Sequence, residues 1–237
     1  MAKTDFVELP DCEPIPILYE DRSVLAIDKS PGWMLAPVSW RNTNRNLQAA
    51  IESSISARDF WTRSRGLKFL RYVHRLDAGT SGVLLLAKSP GALKTYSRLF
   101  ESRQMEKTYL AVVSGHAPNV EWTCQLKLAP DLGRVGRMKV DARHGKPAET
   151  FFRRLRTHGN YSLIEVLPRT GRTHQIRVHL AEAGLPVVGD ELYGRPEGGL
   201  SLALRAVGLA YVDPFTNRHI KIQAPTNDFL NEFGFTP

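Results

Sequence analysis

The stretch that decides the fold is RYVHRLDAGTSGVLLLAKS, residues 71–89. RYVHRLD enters as a strand, the small residues from Ala78 to Gly82 turn the chain, and GVLLLAKS leaves as a second strand. The unbroken apolar run of the second strand implies burial on both faces. The turn carries a single acid, Asp77, beside His74 and Arg75 and just before Thr80 and Ser81. The plainer reading of an Asp before small residues is an Asx-turn. That reading does not account for the basic and hydroxyl neighbours gathered around one carboxylate. A carboxylate beside a guanidinium has a lowered pKa and stays ionised, so Asp77 suits the work of a nucleophile or base. No second acid lies in the motif, which argues against a glycosidase-like pair.

Outward from this unit, Ser89-Pro90 opens a helix, with Ser as N-cap and Pro in the first turn. Leu93, Tyr96, Leu99 and Phe100 give that helix its apolar stripe. KTYLAVVSG returns to strand. VEWTCQLKLA, RVGRMKV, PAETFFRRLRT and YSLIEVLP, within 120–167, read as one antiparallel group separated by Gly- and Asn-containing turns. Upstream, ILYEDRSVLAIDKSPG gives two strands, Leu47, Ala50, Ile51 and Ile55 follow helical spacing, and 58–71 reads as a basic loop. LRAVGLAYVDP and RHIKIQA are two further strands around a turn at Pro214, and a short helix follows Pro225. The expected fold class is α+β: one catalytic domain, residues 15–237, built on a mixed, mostly antiparallel sheet with flanking helices. An acidic arm, residues 1–14, precedes it.

A second motif, RTGRTHQIRVH at 169–179, places Gly171 before a helix closed by Gly184. A glycine there brings backbone N–H groups close to an anion, and a helix N-terminus favours one. Thr173 and Arg177 are one turn apart on that helix, as are Gln175 and His179. Arg177 is therefore expected to point into a site, with Arg172 and Thr173 near its mouth. A basic surface helix with satisfied histidines is the plainer alternative. His174 and His179 have the wrong spacing to share a metal, so no metal site is expected.

The chain has 237 residues, 42% hydrophobic, and carries a net charge of +8. Residues 58–75 hold six basic residues against Asp59, and 134–156 hold eight against Asp141 and Glu149. Such clustering suits a polyanionic partner, whose condensed counterions Lys and Arg displace. Cys12 and Cys124 are far apart, with neither disulfide-framework nor zinc spacing. No signal peptide and no bilayer-length apolar run is present in the sequence, so a cytoplasmic protein without membrane attachment is expected. No GxGxxG or GxxxxGK[ST] loop supports a nucleotide cofactor.

HRLDAGTSGVLLLAKS, EKTYLAVVSG and PRTGRTHQIRVHLAEAGLPVVGDELYG, in this order, resemble the RluA-type family of pseudouridine synthases. The resemblance spans roughly residues 15 to 224. It implies an RNA uridine isomerase that needs neither cofactor nor metal and acts on rRNA, tRNA or both. It implies roles for three residues: Asp77 as the catalytic aspartate, Tyr109 as the tyrosine that packs on the base and serves proton transfer at C5, and Arg177 as the basic residue that pairs with the aspartate. Leu204 matches an apolar residue lining the uracil pocket. His74, Arg75, Thr80, Arg172, Thr173, His174 and Gln175 are the further candidates for substrate binding.

The chain departs from the family pattern in three places. Ala78-Gly79 stands where a charged residue and an acid are usual, Arg205 stands in a usual Leu-His-Ala, and Lys29-Ser30-Pro31-Gly32 replaces Lys-Pro-x-Gly. An N-terminal RNA-binding module, common in relatives, is expected to be missing, which hints at a compact target such as a stem-loop. A monomer is expected. The rival readings are a non-catalytic RNA-binding protein of the same fold, and a hydrolase or nuclease using His74, Asp77 and His174.

Overall fold

The computed structural model describes residues 3–9, 12–35, 45–194 and 199–235. The chain divides into two compact units: Met1–Met105 with Gly208–Ala224, and Glu106–Val207 with Pro225–Pro237.

The first unit is a sheet with helices packed on it. β1 (Phe6–Val7), β2 (Ile15–Glu20), β3 (Val24–Lys29) and β5 (Ser81–Ala87) follow one another antiparallel, and β4 (Arg71–Tyr72) pairs with β5. Part of the acidic arm thus joins the sheet: Phe6 lies opposite Pro16 and Val7 opposite Ile15. The turn from β2 to β3 is made by Asp21, whose Oδ1 accepts from the N–H groups of Ser23 and Val24. β5 is buried from Gly82 to Ala87, as its apolar run requires.

α3 (Pro90–Glu101) begins where Ser89-Pro90 sets it, with Ser89 Oγ accepting from Ala92 N. Its Ala92 and Tyr96 pack with Val83, Leu85 and Ala87 of β5 and with Leu209, Tyr211 and Ile222. The last three belong to β12 (Leu204–Val212) and β13 (His219–Gln223), paired antiparallel from Gly208 onward. The turn between them is shaped by Asp213, whose Oδ1 accepts from Phe215 N and Thr216 N while Tyr96 donates to its other oxygen.

α1 (Leu47–Ala57) carries the expected helical face, with Asn46 as N-cap. The segment 58–71, expected as a loop, holds a short helix instead, α2 (Phe60–Arg63). Trp61 is fully buried there, and Thr62 donates to the Ser54 carbonyl of α1, so basic composition yields to one anchoring aromatic.

The second unit is an antiparallel sheet in the order β6 (Glu106–Ser114), β11 (Tyr161–Pro168), β10 (Thr150–His158), β7 (Glu121–Cys124). Trp122 and Phe152 face each other across β7 and β10 with ring centroids 5.0 Å apart. The expected continuous strand VEWTCQLKLA is broken. β8 (Leu128–Pro130) leaves the sheet and pairs with β9 (Met138–Val140). Two anchors divert it: the Leu126 carbonyl contacts His179 Nε2 at 3.2 Å, and Leu128 exchanges both backbone hydrogen bonds with Lys146. α4 (Gln175–Glu182) ends at Gly184 in the left-handed region, φ +74°, as expected of that glycine. α5 (Asn227–Glu232) closes the chain. Arg205, the departure in β12, donates to the Pro225 carbonyl ahead of α5. The strand pairings named above are antiparallel, and the α+β class read from the sequence is the class observed.

Candidate active site

In the first unit the Asp77 turn is held from below by a lysine. β3 ends at Lys29, opposite Gly82 of β5. Lys29 is fully buried, and its Nζ donates to the carbonyls of Ser30 (3.1 Å), Ala78 (3.0 Å) and Thr80 (2.8 Å). An ammonium has three N–H donors, and here all three are used. The Ala78 carbonyl also accepts from Gly32 N, and the turn is closed by Thr80 N donating to the Asp77 carbonyl. Asp77 itself is half-buried, and Arg75 is exposed. His74 stacks on Phe100 of α3 at 4.6 Å, and its Nε2 accepts from Leu85 N. The imidazole is thus neutral at Nε2 and braces the entry to the turn. Thr80 is buried at the turn's end.

Burial pushes the Lys29 ammonium down to about 8, against the opposing pull of the Asp77 charge. Above that pH a neutral amine has two N–H groups for three carbonyls. An alkaline fall in activity with an apparent pKa near 8 is the expected result. Global stability should not follow it. A lysine whose folded pKa lies below its unfolded value binds fewer protons when folded, so its contribution to stability rises with pH from about 8 to 10.5. Lys29→Met, which orphans these carbonyls, is expected to cost about 1–3 kcal/mol and to slow turnover roughly tenfold or more through the displaced turn. Denaturant unfolding and initial rates across pH check both.

In the second unit, Tyr109 lies on β6 opposite Val166, and Leu204 opens β12; both are buried. Arg177 on α4 is buried and forms a two-pronged pair: Nε donates to Asp190 Oδ2 and Nη2 to Asp190 Oδ1, each at 2.7 Å. Asp190 has no exposed surface, and its Oδ1 also accepts from Leu192 N and Tyr193 N. Burial alone would raise the Asp190 carboxyl, but Arg177 and the two backbone donors outweigh it and hold the group below the usual carboxylate range. Tyr193 faces two guanidinium groups, Arg137 at 5.0 Å and Arg177 at 5.2 Å from its ring centre. Its hydroxyl accepts from Met138 N and meets His174 Nδ1 at 2.8 Å.

The loop before α4 is shaped by a chain of buried polar groups. Gln175 Oε1 accepts from Thr170 Oγ1 and Arg172 N, and its Nε2 donates to the Glu149 carbonyl and to Thr150 Oγ1. All four hydrogen-bonding positions of that amide are used inside the unit. Thr150 Oγ1 in turn meets His179 Nδ1 at 3.0 Å. His179 Nε2 faces a carbonyl and must donate, so Nδ1 accepts from Thr150. Burial lowers the His179 pKa, which keeps this neutral tautomer. Thr173 and Arg177, expected one turn apart on the same helix, are not both on it. α4 starts at Gln175, His174 is its N-cap with φ +53°, and Thr173 is exposed ahead of it. Arg172 donates from Nε to the Pro147 carbonyl.

Residues 24–182 match the family model described as RNA pseudouridylate synthase. The chain belongs to this family. Its relatives include ribosomal large subunit pseudouridine synthase D of Borreliella burgdorferi, 34% identical over 194 residues, which make up 81% of this chain and 58% of the relative. The synthase C of Buchnera aphidicola subsp. Schizaphis graminum is 31% identical over 92% of this chain and 69% of its own length. The human RNA pseudouridylate synthase domain containing 1 shares the fold, with a TM-score of 0.70 and 26% identity over 89% of this chain and 83% of that one. The chain thus spans about six tenths of the first of these curated relatives. Membership is of the RluA type, as the three motifs indicated. The family match takes in Lys29, Asp77, Tyr109 and Arg177 and ends before Asp190, Tyr193 and Leu204. Sequence reasoning had singled out neither Lys29, Asp190 nor Tyr193 as part of a site. The signal for Lys29 was there, a lysine closing the buried strand VLAIDK, whereas nothing in spacing links Asp190 to Arg177.

Proposed function

We propose that this chain isomerises uridine in structured RNA, ribosomal or transfer, to pseudouridine. The observation that carries this reading is the family match, which includes the Asp77 carboxylate on a turn fastened by a buried ammonium. The target uridine leaves its stack, at roughly a few kcal/mol. Tyr109 packs on the exposed base, and Leu204 lines the uracil pocket. Asp77, ionised, assists cleavage of the N1–C1′ bond as nucleophile or base. The uracil turns and is rejoined to C1′ through C5, and the C5 proton leaves with help from Tyr109. Arg177 supplies the positive charge that favours the ionised carboxylate.

Arg75, Arg172, Thr173 and His174 are assigned to holding the RNA around that nucleotide, with His74, Thr80 and Gln175 shaping the two loops. Residues 15–237 act as one catalytic domain. The protein works in the cytoplasm as a monomer, without cofactor or metal. No helix among the described residues is long and apolar enough to cross a membrane.

RNA carrying 5-fluorouridine at the target tests the chemistry, because fluorine at C5 blocks the last proton loss. A covalent adduct with the enzyme or a rearranged fluorinated nucleoside supports the reading. Recovery of unchanged RNA, from a preparation that binds it, removes it.

A further inference from the structure

Lys107 is a half-buried cation of the second unit that the mechanism above leaves unused. Lys107 stands two residues before Tyr109 on β6, and residues two apart in a strand share a face. Its Nζ donates to the Thr170 carbonyl at 3.0 Å, its single hydrogen bond among the described residues. Two N–H groups of the ammonium remain to be offered. Burial pushes this ammonium down to about 8, so it is charged at neutral pH and more weakly hydrated than a surface lysine.

What lies over the ammonium is Gly171, which is exposed. Its φ is not in the left-handed region that demands glycine. An added Cβ would meet nothing closer than Lys107 Nζ at 3.8 Å, an ordinary contact. Neither backbone conformation nor crowding therefore requires a glycine at 171. With no side chain at 171, the space beside the Lys107 ammonium on this exposed stretch of the loop stays unfilled. Arg169 is exposed at one side of Gly171 and Arg172 half-exposed at the other. A recessed cation under a bare glycine, between two arginines, presents point charge and N–H donors to a tetrahedral anion.

We propose that Lys107, reached over Gly171, is a binding subsite for one backbone phosphodiester of the RNA. The subsite rests on the reading of this chain as an RNA-acting enzyme, but it is a matter of binding and not of turnover. The ammonium ties the loop through the Thr170 carbonyl and gives its remaining donors to a non-bridging phosphate oxygen. Because Lys107 and Tyr109 share a strand face, the phosphate held here is expected to be close in sequence to the nucleotide that Tyr109 packs on.

The test measures RNA affinity against salt for wild type, Lys107→Gln, Lys107→Arg and Gly171→Leu, with a stem-loop transcript holding the target uridine. Each phosphate contact contributes about 0.7–0.9 to the slope of log K against log salt. Lys107→Gln should lower the slope by about that amount, and Lys107→Arg should restore it. Gly171→Leu covers the ammonium without removing it and should reproduce the loss. An unchanged slope in Lys107→Gln and Gly171→Leu, with a lowered unfolding midpoint in Lys107→Gln, would make Lys107 a structural tether and overturn the subsite. Wild-type protein that binds RNA with the full slope yet never isomerises uridine would sink the proposed function and leave the subsite standing. Absence of salt-dependent RNA binding by wild type would remove both.

Discussion

Asp77→Ala is expected to lower turnover by at least about 10³-fold, with RNA affinity within a few-fold of wild type. The turn that carries Asp77 is fastened through its main chain. Thr80 N closes on the Asp77 carbonyl, and Lys29 Nζ holds the carbonyls of Ala78 and Thr80. These main-chain bonds survive removal of the side chain, so the turn is expected to stay in place while the reacting group is lost. The stability change should stay within about 1 kcal/mol. Its sign is a small loss, because Lys29 gives up the nearby charge that favours its protonated form. Single-turnover rates, binding isotherms and unfolding curves on one preparation separate these effects. A variant that loses RNA affinity in step with rate would assign Asp77 to binding.

The second large effect is expected at Asp190. Its carboxylate is fully buried and takes two hydrogen bonds from Arg177 and two from backbone N–H groups. Asp190→Ala leaves a buried guanidinium without its counter-charge and two N–H groups without an acceptor. Breaking a buried pair by removing one partner costs about 3–5 kcal/mol. Turnover should fall as well, since Arg177 loses the fork that fixes its plane. Replacing both residues, as Arg177→Met with Asp190→Leu, should recover much of the stability and none of the activity.

The effect has a defined pH sign. The folded Asp190 pKa lies below its usual 3.8, so the stabilisation is fully present above about pH 4 and is lost as pH falls through the folded value. The gap between wild type and Asp190→Ala should therefore narrow on acidification. Urea unfolding at several pH values reads it directly, and a gap constant down to pH 2 would contradict the assignment of the pair.

Much of the fold could be read from local signals. Ser89-Pro90 announced α3, the run VLLLA announced a strand buried on both faces, and Gly184 marked the end of α4. These features depend on residues adjacent in the chain. The errors occurred where distant groups override local pattern. Trp61 drives a helix into a stretch whose charges read as loop. The anchors at Leu126 and Leu128 pull β8 out of a strand that the sequence writes as continuous.

The candidate site divides along the same line. Asp77, Tyr109 and Arg177 were legible because motif and spacing carry them. The groups that hold the two loops were not. Asp190 is 13 residues beyond Arg177 with no periodic relation, and Lys29 is 49 residues from the carbonyl of Ala78 that it grips. Lys29, which the sequence shows only as the first residue of Lys29-Ser30-Pro31-Gly32, is in the fold the buried pin of the turn.

The central claim is that this chain is a uridine isomerase, and tritium release from RNA labelled at C5 of uridine tests it most directly. The RNA should come from cells lacking this protein, so that its target is still uridine. Release by wild type, with the RNA chain intact and its mass otherwise unchanged, is the predicted result. RNA that is bound while every tritium stays at C5 would contradict the account and leave a protein that holds RNA without changing it.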